Sequence, residues 1–296
     1  MKWIKRTGLV ASAMLIGGLF IHAVSVEQPE KENVVKENYF PAEVDFAGEK
    51  APLNVADVRE RFDRELLVNA NLHATTQLII KRANRAFPVI EPILQRYGVP
   101  DDFKYLAVIE SGLVNAVSPA GARGVWQFMP ETGKERGLEI NDLVDERYHL
   151  EKSTEAACKY LLDAKAKFGS WTLAAASYNG GFNGVNRQIV FQGVDNYYDL
   201  LLTEETSRYV FRILALKEIM KNPAQYNFNL QPHELYPVIP VKTVEVTASI
   251  PDLAVFAKEQ GINYKILKIH NPWLRDRNLT VKPGKTYTVE IPLEGY

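Results

Sequence analysis

The stretch from Tyr105 to Pro130 constrains the fold of this chain most, because it sets a carboxylate at the end of an apolar helix. Residues 106–109 are all apolar and leave no polar face, which predicts a short buried helix over residues 101–111. Glu110 lies in the last turn of this helix, and Gly112 ends it. A carboxyl group is therefore expected where the protein interior makes ionisation costly.

Two effects are expected to raise the pKa of Glu110. Its neighbours on the helix are apolar, so desolvation disfavours the charged form, and the negative end of the helix dipole acts in the same direction. A carboxyl group of this kind holds its proton near neutral pH, as a general acid must. The alternative interpretation is a surface glutamate at a frayed helix end.

A loop of small residues follows, Ser118 to Ala122 and then Gly124, in which the backbone can approach a ligand closely. Trp126, Gln127 and Met129 come next, before Pro130 opens another helix. An aromatic ring beside an amide suits a sugar, which has apolar faces and a rim of hydroxyl groups. The stretch thus indicates a carbohydrate site close to Glu110.

These residues resemble the lysozyme-like domain of soluble lytic transglycosylases, and the Gly-x-Trp-Gln-Phe form is most similar to the membrane-bound lytic murein transglycosylase D branch. The matching blocks are Glu110-Ser111, Ser118 to Ala122, Gly124 to Pro130, Thr132-Gly133, Gly137-Leu138, Asp145 to Arg147, Ala175 to Gly181, Glu205-Thr206 and Tyr209-Val210. They follow one another in the order that the family requires. An ordered set of blocks is far more specific than any one of them.

The resemblance implies a peptidoglycan lytic transglycosylase, which cleaves the β-1,4 bond between N-acetylmuramic acid and N-acetylglucosamine without adding water. Glu110 would protonate the leaving oxygen and then take the proton of the muramoyl 6-hydroxyl, giving a 1,6-anhydro end. The resemblance also implies a set of substrate-binding residues, which are Ser111, Ser118, Gln127, Met129, Tyr178, Asn179 and Tyr209. Trp126 stands where many relatives have a smaller apolar residue, so we expect it to be partly core. No cofactor is implied, and no His-rich or Cys-rich spacing predicts a metal site.

Two other functions stay open at this point. A hydrolytic lysozyme-type muramidase needs a second carboxylate across the scissile bond. Asp101 and Asp102 are expected to cap the helix and Glu131 to lie in the first turn of the next one, but a distant acid could still fold into the cleft. A non-catalytic, peptidoglycan-binding scaffold of the envelope is the other interpretation, although a scaffold has no need of a protonated buried acid.

The fold expected from pattern and resemblance together is mainly α-helical, with a lysozyme-like catalytic domain over residues 51–230. Its predicted helices span residues 54–96, with a break at Pro88, and residues 131–136, 150–168 and 203–221. A further helix is capped by Ser170 and brings Tyr178 and Asn179 to its end, before two glycines.

A second, small α+β module is expected over residues 238–296, after a proline-rich boundary. The pattern predicts a strand over residues 241–247, helices that end at Gly261 and His270, and a closing strand over residues 285–291. This β-α-α-β order resembles a LysM module, the family that binds the N-acetylglucosamine chains of peptidoglycan and chitin. The usual Gly-Asp-Thr is replaced by Thr247 to Ile250, so both a glycan-binding and a packing or partner-docking role stay open.

Residues 1–25 carry basic side chains before an apolar run and predict a secretory signal peptide or a membrane anchor. Residues 26–50 are charged and aperiodic and predict a solvated linker. The single cysteine, Cys158, is interpreted as a small buried hydrophobic residue. A formal net charge of -1 argues against nucleic-acid binding through a basic field. We therefore expect an exported protein of the periplasm or cell envelope that acts on peptidoglycan strands, with membrane association and envelope protein partners left open.

Overall fold

The computed structural model describes residues 39–294, so the predicted leader over residues 1–25 lies outside the described part of the chain. The described residues form ten α-helices and two antiparallel sheets of two strands each. The helices are α1 (Ala56–Asn71), α2 (His73–Tyr97), α3 (Lys104–Ser111), α4 (Pro130–Glu135), α5 (Leu150–Phe168), α6 (Trp171–Gly180), α7 (Phe182–Gln192), α8 (Glu204–Lys221), α9 (Leu253–Glu259) and α10 (Tyr264–His270). The strands are β1 (Asp45–Phe46), β2 (Glu49–Lys50), β3 (Val241–Val246) and β4 (Tyr287–Pro292). The predicted class is confirmed, a mainly α-helical fold with a small α+β module.

Helix α3 lies inside the larger of two hydrophobic cores. Residues 105–109 are all buried, as the lack of a polar face predicts. The neighbours of α3 are α2 and α8, and α8 packs in turn against α1 and α6. Because α3 is enclosed along its length, its carboxyl end is the point at which Glu110 can reach solvent, and Glu110 is partly exposed there.

Helix α2 runs unbroken through Pro88 and Pro92, so the predicted break at Pro88 is wrong. An internal proline costs a helix about 3 kcal/mol through a lost hydrogen bond and a ring clash. Both prolines are exposed, whereas an apolar stripe that runs from Ile79 to Leu94 on the other side is buried. Burial of this stripe offsets the cost and carries the helix past both prolines.

Residues 39–50 are part of the folded domain, although their composition predicts a solvated linker. Phe46 is fully buried and packs edge-to-face on Phe103, with 4.9 Å between the ring centroids. The carboxylate of Glu49 accepts hydrogen bonds from the backbone N–H groups of Trp171 at 2.6 Å and Thr172 at 2.9 Å. These bonds cap the start of α6. The acidic side chain of Glu49 therefore stabilises the fold and is not part of a solvated linker. The remainder of the predicted linker, residues 26–38, lies outside the described part of the chain.

The carboxyl-terminal strands pair antiparallel, from Val241 opposite Pro292 to Val246 opposite Tyr287. Helices α9 and α10 connect them, and the side chain of Asp252 caps α9. The predicted strand–helix–helix–strand order is therefore confirmed, while the domain boundaries at residues 230 and 238 stay predictions.

The second hydrophobic core lies under these elements and is shared with the larger domain. It contains Leu253, Leu267 and Val289 from the small module, together with Val144 and Tyr148 from the segment before α5. The small module is thus packed on the helical domain through apolar side chains. No helix within residues 39–294 is long and apolar enough to span a membrane.

Candidate active site

Glu110 lies in the last turn of α3, where the sequence predicts it. The hydroxyl group of Tyr209 on α8 donates a hydrogen bond to its Oε1. Burial raises the pKa of Glu110 from its ordinary 4.5 to about 7, although the hydrogen bond from Tyr209 and the charge of Arg212 act in the opposite direction. A pKa near 7 suits a group that exchanges a proton near neutral pH, and the residue is partly exposed at the end of α3.

Helix α8 supplies the polar side of this site. The side chain of Thr203 caps its first turn, and Tyr209 is only 2% exposed. One turn further on, the guanidinium of Arg212 donates to the backbone oxygen of Ile109 at 3.3 Å, next to Glu110. The negative charge of Glu205 raises the pKa of Glu110 further.

Glu205 and Arg212 were not among the predicted site residues, but a signal for both exists in the sequence. Residues 205, 209 and 212 are spaced by four and three, which places them on one face of α8. Once Tyr209 is assigned to the cleft, helical spacing assigns the other two to the same side. Glu205 is therefore the acid to consider wherever a second carboxylate is required.

Tyr178 lies near Glu110 without a hydrogen bond to it: burial raises the pKa of Tyr178, and the nearby charge of Glu110 raises it further. Its hydroxyl group donates to the backbone oxygen of Trp126 at 2.8 Å, and its ring packs edge-to-face on Tyr160 and Phe128, with centroids 5.1 and 5.9 Å away. The bond fixes the position of the loop that carries Gln127 and Met129. Tyr178 thus joins that loop to α6.

Trp126 does not present a flat apolar surface to a ligand, which corrects the expectation drawn from its place beside Gln127. The indole is fully buried, and its Nε1 donates to the Thr154 hydroxyl group at 2.8 Å. A buried indole needs such a partner for its N–H group, and α5 supplies one. Trp126 is a core residue that anchors the loop to α5.

Gln127 has a positive φ of 51°, and its amide is committed to the loop. Nε2 donates to the backbone oxygens of Gly124 at 2.7 Å and Ala116 at 3.1 Å. The two carbonyl partners identify the nitrogen, so Oε1 remains as the acceptor of this side chain. Met129 is 39% exposed and is available for apolar contact.

The hydroxyl groups of the two predicted serines form hydrogen bonds within the loop in the described structure and none with the Glu110 side chain. The Ser111 hydroxyl group donates to the backbone oxygen of Val125 at 2.8 Å and accepts from the Leu113 N–H group at 3.1 Å. The Ser118 hydroxyl group accepts from the Ala122 N–H group at 3.0 Å. Any contact with substrate that the resemblance implies for these serines stays a prediction.

Asn179 is joined to α8 and not to Glu110. Its amide nitrogen donates to Glu205 at 3.0 Å, and its oxygen accepts from the Thr206 hydroxyl group at 2.8 Å. The side chain thereby orients Glu205 at the edge of the site.

The buried ion pair of Arg147 and Asp145 supports the loop from behind. Their side chains meet at 2.7 Å and are almost completely buried. The Arg147 guanidinium also donates to the backbone oxygens of Gly121 and Phe128, both at 3.2 Å. Because both charges are satisfied, the cluster has a structural role and is not part of the site.

Asp101 and Asp102 do not cap α3, contrary to expectation. The carboxylate of Asp102 accepts from Lys217 at 2.6 Å and from the Ala47 N–H group at 2.7 Å, and that of Asp101 accepts from Lys104 at 2.6 Å. Both acids are thus engaged at the amino end of α3, at the opposite end from Glu110. Within residues 39–294, no group of three or more His, Cys, Asp or Glu side chains could hold a metal ion.

Comparison with known families agrees with this geometry. Residues 88–199 match the family model described as the transglycosylase SLT domain, and this range contains Glu110, the loop, Tyr178 and Asn179. Residues 242–295 match the soluble lytic transglycosylase C-terminal LysM-like domain. The chain thus carries a transglycosylase SLT domain followed by a LysM-like domain, and both predicted resemblances are confirmed.

The chain is similar to the membrane-bound lytic murein transglycosylase D of Escherichia coli strain K12 and to the protein of the same name from Escherichia coli O6:H1. Each is 28% identical to it over 244 residues, which cover 79% of this chain and 52% of the relative. The chain spans about half the length of these curated relatives.

Proposed function

We propose that this protein is a peptidoglycan lytic transglycosylase that cleaves the β-1,4 bond between N-acetylmuramic acid and N-acetylglucosamine and leaves a 1,6-anhydromuramoyl end. The observation that carries the proposal is the carboxyl group of Glu110, a partly exposed residue at the end of a buried helix, which has a pKa of about 7 and accepts a hydrogen bond from Tyr209. The SLT domain and the relatives named for this activity support the same conclusion.

In the proposed reaction, Glu110 donates its proton to the glycosidic oxygen as the bond from that oxygen to C1 of the muramoyl residue breaks. The muramoyl 6-hydroxyl oxygen then bonds to C1, and its proton returns to the Glu110 carboxylate. The reaction consumes no water, and Glu110 is protonated again at its end. A pKa near the working pH suits both half-reactions, because the same group must act as acid and then as base.

The remaining predicted residues receive roles that fit their contacts. We propose that Gln127 accepts a hydrogen bond from an N-acetyl N–H group through Oε1, because both of its observed amide contacts use Nε2. Met129 would line a sugar subsite with its exposed side chain. Ser111, Ser118, Tyr178 and Asn179 would shape the wall of the cleft through the loop and α8.

The test is digestion of purified peptidoglycan by the full chain and by its Glu110→Gln form, with the muropeptides analysed by mass. We expect products that are lighter by one water than hydrolytic products, and their loss in Glu110→Gln. Glu131→Gln is the matched control, because Glu131 is an exposed acid in the first turn of α4. Its activity should equal that of the unmodified chain.

Two outcomes would contradict the proposal. Reducing-end products that disappear in Glu205→Gln as well as in Glu110→Gln would make the protein a hydrolase with Glu205 as its second carboxylate. Retention of glycan without any product, from both the unmodified chain and Glu110→Gln, would make it a binding scaffold.

Tyr209→Phe should lower kcat at the pH optimum about tenfold or more, because it removes a hydrogen bond to a charged group. Since that bond lowers the pKa of Glu110, its loss should also move the alkaline limb of the pH–rate profile to higher pH. Tyr160→Phe is the control, because Tyr160 is also buried but its hydroxyl group donates to the Ser177 backbone oxygen. An alkaline limb that stays in place in Tyr209→Phe would show that Tyr209 does not act on Glu110.

For location, we propose an exported protein of the periplasm or cell envelope. The relatives are membrane-bound lytic murein transglycosylases, and residues 1–25 contain an apolar run; both support this proposal. Membrane association and binding to envelope protein partners stay predictions. Cell fractionation with and without residues 1–25 would test the membrane association.

A further inference from the structure

A cleft of about 480 Å³ lies between the SLT domain and the LysM-like domain, apart from the contacts of Glu110. Its walls come from α2, the loop after α3, the start of α5, and the residues around α10 and β4. On one side Trp273 stacks on His149 and on Tyr287, with ring centroids 6.0 and 5.6 Å away. The volume lies in the range of small-ligand sites.

Two arginines and two glutamates line this cleft without pairing. Arg82 and Arg85 project from α2, Glu151 from α5 and Glu290 from β4. Within the described residues, no carboxylate lies within 4.0 Å of either guanidinium, and no basic group lies within 4.0 Å of either carboxylate. Arg82 is oriented by one bond, a 3.1 Å contact with the backbone oxygen of Gly112. The Arg85 guanidinium lies over the Tyr236 ring, 5.9 Å from its centroid. Charges of both signs thus line one cleft without an ion pair among them.

The other titratable groups of the cleft do not supply the missing partners. Burial lowers the pKa of His149 to about 4 and also lowers that of His270, so both rings are neutral at neutral pH. Burial raises the pKa of Glu290, and the nearby charge of Glu151 raises it further. An ammonium group placed between these two carboxylates would relieve that repulsion.

We infer that this cleft binds a peptide that carries both a free amine and a free carboxylate, with the amine at Glu151 and Glu290 and the carboxylate at Arg82 and Arg85. This inference rests on the proposed function, because the peptide is then the stem of the peptidoglycan strand, whose diamino acid offers these two groups. The cleft adjoins the helix that carries Glu110. Leu113, three residues after Glu110, lines the cleft. Val125 also lines it, and its backbone oxygen accepts a hydrogen bond from Ser111. A stem bound here would hold its strand beside Glu110.

The test is a calorimetric titration of the full chain, in detergent, with N-acetyl-L-Ala-γ-D-Glu-meso-diaminopimelate, in which only the diaminopimelate amine is free. We expect binding that weakens at least tenfold when that amine is acetylated, and likewise when the carboxylates of the diaminopimelate residue are amidated. Glu290→Gln and Arg85→Gln should each weaken binding by a similar factor. Arg85 is exposed, so its replacement leaves the fold intact even if Glu290→Gln does not.

Matched controls are Glu259→Gln and Arg277→Gln, which remove exposed charges of the LysM-like domain outside the cleft. Both should bind the peptide as the unmodified chain does. Absence of binding by the unmodified chain, or equal binding by Arg85→Gln, would overturn the inference. The titration does not depend on cleavage. Peptide binding combined with products that survive in Glu110→Gln would therefore contradict the proposed function alone.

Discussion

Replacing Glu110 by glutamine is expected to stabilise the folded protein by about 3 kcal/mol at pH 8. The pKa of Glu110 is about 7 in the folded protein against an ordinary value of 4.5. Ionising this group therefore costs the folded state more than the unfolded chain. Glutamine keeps an oxygen that accepts the hydrogen bond from Tyr209 and carries no charge, so it removes the cost without emptying the site.

The pH dependence of this effect distinguishes it from a general change in packing. Below about pH 4 the carboxyl group is protonated in both states, and the two proteins should differ little. Between pH 4.5 and about 7 the folded state holds a proton that the unfolded chain has lost, so the stability of the unmodified protein falls as pH rises. Above pH 7 the full penalty is present.

Urea unfolding of the full chain and of Glu110→Gln, measured from pH 4 to pH 8, checks this prediction. The difference in the free energy of unfolding should grow along that range, whereas Glu131→Gln should show no such growth. A difference that is the same at every pH would mean that burial of Glu110 does not penalise its charge. If Glu110→Gln also loses cleavage, the carboxyl group that is required for activity lowers the stability of the folded protein.

The position of Glu110 could be predicted from sequence because the signal is local. An apolar run that ends in Glu110-Ser111-Gly112 specifies both the helix and its end. The same holds for α10, which ends at His270 as the pattern predicts. Local apolar spacing and a side-chain cap decide such elements, and both can be read along the chain.

The contacts of Trp126 and Gln127 could not be predicted from local pattern, although the resemblance led to the expectation that Trp126 is partly core. Whether an indole faces a cleft or the core depends on Thr154 and Tyr178, which lie far along the chain. The amide of Gln127 likewise points to carbonyl groups that only the folded loop brings together. Phe46 and Glu49 were assigned to a linker for the same reason, because their partners Phe103 and Trp171 are distant in sequence.

Gly124→Ala is expected to destabilise the protein by more than 3 kcal/mol and to displace the loop that carries Gln127 and Met129. Gly124 has a φ of +84°, and a Cβ at this position would lie 1.8 Å from the backbone oxygen of Arg147. Arg147 cannot withdraw easily, because its side chain is held by Asp145 and by two backbone oxygens of the same loop. The loop or the buried ion pair must therefore give way.

Gly121→Ala provides the matched control for this prediction. Gly121 lies in the same loop with a similar φ of +91°, but a Cβ there would meet nothing within 4 Å. Its replacement should cost only about 1 to 2 kcal/mol, the strain of a left-handed backbone. Urea unfolding compares the two variants, and equal losses of stability would show that backbone strain, and not the approach to Arg147, requires glycine at position 124. A larger loss in Gly124→Ala would show that the close packing of this loop on residue 147 is what fixes the wall of the site opposite α8.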